Sequence, residues 1–364
     1  MTPLRITWVL PSLAFTGGIR VVYEHTRQLR ALGHEVRLVV PAGPAPSPFS
    51  AEGRRALAGV LFERLVVRSD RMLRYYGLES TVQRVPRLEY AALPDGDILL
   101  ATEYESARWI ADAPARAGRG TFFIQHYEAY VPELEPAVDF VWRLPLEKIV
   151  IATWLARLAR ERFGLAVRGP VLNGIDLEQF HARGRVENDP PVVGMLYERI
   201  PWKGTEDGLA AVERARRDVP GLRLHLFGRH RLRHRLRPGD RYTRSPSPAR
   251  LGAIYRGCDF FLSPSWTEGY GLPPMEAMGS GCAVVSTEVG GVPDFATPGR
   301  TILTAPPRAV DELAVHLVHL ARNRPFARAM AEAGRAQVAQ LTWPRVSAEL
   351  ERELLDIAGR AVPR

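Results

Sequence analysis

A strand, a glycine turn, a helix and a second strand fill the first 40 residues, and the same succession begins again near residue 192. Arg5 to Pro11 reads as extended, Thr16-Gly17-Gly18 as a turn, Ile19 to Leu32 as a helix closed by Gly33, and Glu35 to Val40 as a strand. A β-α-β unit of this kind predicts a parallel sheet with helices on both faces. Further strands are expected at Asp97 to Thr102 and Thr121 to Gln125, and a helix over Ile151 to Phe163. A segment rich in Gly, Asn, Asp and Pro, Arg168 to Pro191, reads as a linker. Beyond it come a strand at Val192 to Tyr197, a helix at Gly204 to Arg217 and a strand at Leu222 to Phe227. Next are strands at Phe260 to Pro264 and Ala283 to Ser286, with a helix from about Pro274 to Gly279 between them. Helices over Asp311 to Arg322, Pro325 to Gln340 and Pro344 to Ala358 close the chain. The restart implies two doubly wound α/β domains facing across a cleft, with the site where the carboxyl ends of the strands meet.

The chain has 364 residues, enough for two such domains. Its formal charge of +9 calls for an acidic partner, and charge alone does not choose among phosphate, nucleotide, nucleic acid and an anionic membrane face. Of the 49 basic residues only Lys148 and Lys203 are lysine, so a single Arg carries little information and each Lys carries more. Cys258 and Cys282 border apolar runs and are expected to be buried free thiols of a cytoplasmic protein. The apolar opening is broken at Pro11, too early for a signal peptide, and no run of about 18 apolar residues suggests a membrane span.

The most informative stretch runs from Ser263 to Ala277, where a buried strand leads through a glycine-spaced loop into a helix that opens on prolines. Free amides at such a helix start, with glycines allowing close approach, suit a diphosphate. Glu268 in the loop and Glu276 in the first helical turn can then face one ligand, and a carboxylate that accepts from two neighbouring hydroxyls reads a sugar or ribose diol. The competing reading is a solvated loop Glu and a Glu that complements the helix dipole.

Glu268 and Glu276, with Gly269-Tyr270-Gly271-Leu272-Pro273-Pro274-Met275 between them, resemble the E-x7-E motif of family 4 retaining glycosyltransferases with the GT-B fold. Gly17-Gly18, Leu32-Gly33-His34-Glu35-Val36, Asn173-Gly174-Ile175-Asp176, Lys203-Gly204 and Gly290-Gly291-Val292-Pro293-Asp294 match the family pattern in the same order over nearly the whole chain. The resemblance implies a nucleotide diphosphate sugar as donor and no metal or other cofactor. Glu276 would bind the donor ribose, and Glu268 the transferred sugar near the reacting centre. Lys203 and Arg199 would flank the diphosphate and neutralise charge that grows as the glycosidic bond breaks. Arg199 lies four residues before Lys203, where many relatives have five or so. Gly269, Tyr270, Gly271 and Leu272 would line the donor site, with Gly17 and Gly18 offering amides beside Arg20. The resemblance also implies that the terminal helix returns to the first domain, giving domains of 1–170 with 344–364, and 171–343.

His126 ends the expected strand at the cleft and resembles the family's first-domain histidine beside the donor sugar. An orienting role is expected, since with front-face retention the leaving phosphate oxygen takes the acceptor proton. Asp95-Gly96-Asp97 has the spacing of a D-x-D metal site but reads as a turn into a strand. Arginines crowd Gly228 to Arg244, where a nucleic-acid patch, for which no motif is present, competes with an anionic substrate or membrane contact and with a solvated loop. A second arginine-rich segment, Arg54 to Arg74, lies where the resemblance places the acceptor side of the first domain, and a contact with a lipid-phosphate acceptor is expected there. The expected activity is transfer of a hexose or deoxyhexose to a glycan or lipid-linked acceptor in bacterial surface polysaccharide synthesis. The enzyme would be cytoplasmic, with a peripheral contact at the inner membrane face left open. The alternatives are an epimerase or hydrolase on the same fold, and a non-catalytic sugar-nucleotide or nucleic-acid binding protein.

Overall fold

The computed structural model describes residues 3–13, 16–41, 69–86 and 88–360. The chain divides into two compact units, one of residues 1–172 with 343–364 and one of residues 173–342.

In unit 1 the strands are β1 (Arg5–Val9), β2 (Glu35–Pro41), β3 (Val82–Val85), β4 (Ile98–Ala101), β5 (Arg119–Ile124) and β6 (Glu147–Val150). All neighbours are parallel, in the order β3-β2-β1-β4-β5-β6. Ile98, Leu99, Leu100 and Ala101 are all buried, as expected for a central parallel strand covered on both faces. The helices are α1 (Gly17–Ala31), α2 (Ser69–Tyr76), α3 (Tyr104–Ile110), α4 (Glu135–Trp142) and α5 (Thr153–Phe163). The glycine pair expected in a turn instead forms the first two residues of α1, because Thr16 caps the helix by accepting from Ile19 N at 3.3 Å.

A last helix of unit 1, numbered α12 in chain order (Trp343–Ile357), packs on α1. His25 Nδ1 lies 2.9 Å from Ser347 Oγ, and the His25 ring meets Trp343 edge to face. His34 Nδ1 accepts from Leu4 N at 3.0 Å, which leaves Nε2–H to donate to Glu351 at 2.8 Å.

Unit 2 repeats the plan with β7 (Val192–Leu196), β8 (Arg223–Gly228), β9 (Arg241–Arg244), β10 (Phe260–Ser263), β11 (Ala283–Thr287) and β12 (Leu303–Ala305). Its order, β12-β11-β10-β7-β8-β9, is that of unit 1 when each sheet is counted from its own first strand. The helices are α6 (Thr205–Asp218), α7 (Pro248–Arg256), α8 (Leu272–Gly279), α9 (Val292–Phe295), α10 (Val310–Arg322) and α11 (Arg324–Val338). Val193, Met195, Leu224, Leu226, Phe260 and Leu262 of the sheet are sealed under Leu313, Leu317 and Leu320 of α10. The chain order reverses between β1 and β4 in unit 1 and between β7 and β10 in unit 2, and ligands of doubly wound sheets bind beyond the strand ends at that point.

Of the two arginine-rich segments, residues 54–68 lie outside the described residues, while Arg71 and Arg74 belong to α2. The other segment is only partly a loop, since its last four residues form the edge strand β9.

Candidate functional site

The loops that leave β7 and β10 meet at the switch point of unit 2. After β7 the chain makes a short helical turn at Pro201–Lys203, and Gly204 then takes a left-handed φ of 65° before α6 begins. A Cβ on Gly204 would stand 1.9 Å from the Pro264 carbonyl oxygen, so this contact with the β10–α8 loop needs glycine. Two polar ties fix the same junction: Trp266 N donates to Trp202 O at 2.7 Å, and the Trp266 indole donates to Asp207 of α6 at 2.6 Å. The Arg308 guanidinium covers the indole face, 4.0 Å from its centroid.

This junction brings Lys203 to Glu268. The ammonium donates to both carboxylate oxygens, at 2.8 and 2.9 Å, and Ser265 Oγ donates to Oε1 at 2.8 Å. Both side chains are partly exposed, so the pair is reachable by a ligand. From the other side Gly290, with φ of 56°, lets the β11–α9 loop close on Glu268, where a Cβ would stand 2.1 Å from the Glu268 carbonyl oxygen. Gly291 packs on Tyr270, where a Cβ would stand 2.6 Å from the ring. Sequence reasoning matched this glycine pair without finding its use, and it missed Ser265 altogether. The signal for Ser265 was its position three residues before Glu268 in the same loop.

Glu276 is 5% exposed and accepts from the Tyr255 hydroxyl at 2.9 Å. Helix α8 starts at Leu272, two residues earlier than expected, which moves Glu276 out of the first turn. Gly271 precedes the helix with φ of 107°, a value that disfavours any side chain. Tyr270 is buried against Phe295, so its ring packs the loop and does not line an open site. Gly269, on the loop, and Leu272, the first residue of α8, are half-buried. Arg199 is exposed; its backbone N–H donates to Glu198 at 2.8 Å, and among the described contacts nothing joins its guanidinium to Lys203, Glu268 or Glu276.

In unit 1, Gly17, Gly18 and His126 gather at the carboxyl edge of the sheet. Gln125, just beyond β5, donates from Nε2 to Gly18 O at 3.2 Å. His126 donates from Nδ1 to Tyr127 O at 2.7 Å, which leaves Nε2 as an acceptor. Arg20 does not accompany the glycines, because it is buried and hydrogen-bonded to Tyr76. The same edge carries two carboxyls that sequence reasoning overlooked. Burial, reinforced by Glu105, pushes Glu103 up to about 7. Burial and then Glu103 hold Glu128 well above the usual carboxylate range, although Tyr104 N donates to it at 2.6 Å.

Asp95 and Asp97 lie at the opposite, amino edge and are committed elsewhere. Arg116 pairs with Asp95 at 3.0 Å, while Asp97 accepts from Arg5 N at 2.7 Å and from Arg360 at 3.0 Å. The described residues contain no group of three or more His, Cys, Asp or Glu arranged to hold a metal ion. Lys148, the other lysine, is 7% exposed and donates to Leu144 O and Leu146 O at 2.7 and 2.9 Å.

A family model described as glycosyl transferases group 1 matches residues 191–323, a span that holds Lys203, Ser265, Glu268 and Glu276. Similarity extends beyond that span: the glycogen synthase of Mycobacterium tuberculosis is 23% identical over 95% of this chain and 92% of its own length. The family match and these relatives support a group 1 glycosyltransferase of the family 4 type. A second relative in this group is the GDP-mannose-dependent alpha-(1-6)-phosphatidylinositol monomannoside mannosyltransferase of M. tuberculosis. It is 28% identical over 55% of this chain and 60% of its own length. The two sheets are the Rossmann-like domains of the GT-B fold. Anabaena Alr3699/HepE, solved in complex with UDP and glucose, superposes with a TM-score of 0.75 at 14% identity, covering 97% of this chain and all of that chain.

Proposed function

We propose that this glycosyltransferase moves a hexose or deoxyhexose from a nucleotide diphosphate sugar, with retention at the anomeric carbon and without a metal, to a glycan or lipid-linked acceptor. The observation that carries the reading is the Lys203–Glu268 pair at the switch point of unit 2, with Glu276 on the helix that follows. In the reading, the diphosphate draws the Lys203 ammonium from Glu268 and is neutralised by it, joined by Arg199. The carboxylate of Glu268, still held by Ser265, then turns to the sugar hydroxyls. Glu276 takes the ribose diol while the α8 amides face phosphate oxygens. Charge builds on the leaving diphosphate as the C–O bond breaks, so a fixed cation there stabilises the transition state more than the ground state. The leaving phosphate oxygen accepts the proton of the incoming hydroxyl on the same face.

The relatives and neighbours support a nucleotide-sugar donor, since their names include GDP-mannose and UDP with glucose. The phosphatidylinositol mannoside in one name supports a lipid-linked acceptor. We place the enzyme in bacterial surface polysaccharide assembly at the cytoplasmic side; no helix among the described residues is long and apolar enough to cross a membrane. The test is a thermal-shift screen of UDP-, GDP-, dTDP- and ADP-sugars, followed by product analysis of the stabilising donor with and without acceptor. Transfer that depends on acceptor is expected. Epimerised donor, or free sugar at the same rate without acceptor, would reassign the chain to a different reaction.

A further inference from the structure

Beyond Gly228 at the end of β8, residue exposure alternates. Arg229, Arg231, Arg233, Arg235 and Arg237 are exposed, and His230, Leu232, His234 and Leu236 between them are half-buried. The inward residues anchor the segment. Leu232 and Leu236 pack on the core of unit 2, and His234 lies 3.1 Å from Glu206 and edge to face with Tyr197. The Tyr197 hydroxyl accepts from Arg233 N at 3.2 Å. Both ends are fastened by ion pairs, Arg229 to Glu198 at 3.4 Å and Arg237 to Glu213. His230 also pairs with Glu198, and Asp240 pairs with Arg216. The carboxylates around the segment are thus spent on its ends and its inner side, and among the described residues none pairs with Arg231, Arg233 or Arg235.

We propose that Arg231, Arg233 and Arg235 form a docking strip for the anionic phospholipid headgroups of a bilayer. In a chain with 49 basic residues, nearly all Arg, identity alone says little. Their arrangement says more, because three exposed guanidiniums without an ion pair among the described residues follow one another at alternate positions of a single braced segment. The Cα atoms of these three alternate residues span about 13 Å of extended backbone. They stand exposed on a braced segment, which suits a broad charged face better than an enclosed ligand. Each offers a planar fork that fits phosphate oxygens. Single-stranded nucleic acid is the weaker partner, since no aromatic ring alternates outward to stack bases and Tyr242 is tied inward to Gly228 O at 3.1 Å.

The test does not depend on catalysis, so it stands apart from the donor reading. Sedimentation of the full chain with vesicles of phosphatidylcholine containing about 30% phosphatidylglycerol should show binding at about 50 mM salt and release at about 300 mM. Pure phosphatidylcholine should not bind it. The triple variant R231Q/R233Q/R235Q should lose on the order of a hundredfold in partition coefficient, from about 1 kcal/mol per basic residue at an anionic surface. Its melting temperature should match wild type, because the three side chains make no ion pair. The triple lysine variant should keep most of the binding. Absence of wild-type binding to anionic vesicles, equal binding by the glutamine variant, or retention by a single-stranded RNA with no vesicle binding would each overturn the proposal.

Discussion

Two carboxylates eight residues apart have different surroundings, and the difference predicts different kinetics. Glu276 is nearly sealed and bonded to Tyr255, whereas Glu268 is partly exposed and held by the Lys203 ammonium. Glu276→Ala should weaken the donor and free nucleotide diphosphate alike. Glu268→Ala should lower kcat more than it weakens the nucleotide. Calorimetric titration of nucleotide and nucleotide sugar against both variants separates the roles, and equal losses on the free nucleotide would contradict them. The two lysines make a second pair. Lys203→Arg should lose at least about tenfold in kcat/KM, roughly 1.4 kcal/mol, because a planar guanidinium cannot replace an ammonium shared between Glu268 and a phosphate. Lys148→Arg should cost about 1–3 kcal/mol of stability with little change in kinetics. The buried ammonium there already fills its space between two carbonyl oxygens, and burial lowers its pKa.

At the scale of elements, the strands with apolar runs were legible. Ile98–Ala101, Val192–Leu196 and Phe260–Ser263 fall within a residue or two of the expected ranges, because buried parallel strands are marked by the residues that seal them. Edge strands were not. Arg241–Arg244 and Val82–Val85 are short and polar, and only their hydrogen bonding to a neighbour makes them strands. The site shows the same division. Lys203 and Glu268 stand out in the sequence, but the contacts that bring them together are glycine-to-carbonyl approaches from distant loops. Gly204 and Gly184 share a left-handed φ, 65° and 71°, yet only Gly204 has a neighbour in the way of a Cβ. Gly184→Ala should therefore cost about 1 kcal/mol, and Gly204→Ala several times that, with loss of nucleotide binding. Urea unfolding of both variants decides whether packing or φ alone is at work. On α1, burial lowers His25 to about 3, from 6.5. A depressed histidine contributes stability that is present above pH 6.5 and lost as pH falls toward 3, with a slope of up to about 1.4 kcal/mol per pH unit. The acid limb of the urea midpoint should flatten in His25→Gln; an unchanged limb would show that another group drives it.

Over the whole molecule, one strand order is used twice, and each unit places its conspicuous polar residues at the carboxyl edge of its own sheet. That the sequence repeats a β-α-β opening made the fold class legible. The nucleotide base, the sugar and the acceptor were not, because loop shape reads them and no residue type marks them. The reaction proposed for the molecule is transfer with retention supported by a protein cation. Proton NMR of the reaction mixture, with the donor identified by screening and excess EDTA present, tests it directly. The account predicts a product that carries the donor's anomeric configuration, formed at the rate seen without chelator. An inverted product, or turnover that stops on chelation and returns with Mn²⁺ or Mg²⁺, would contradict it.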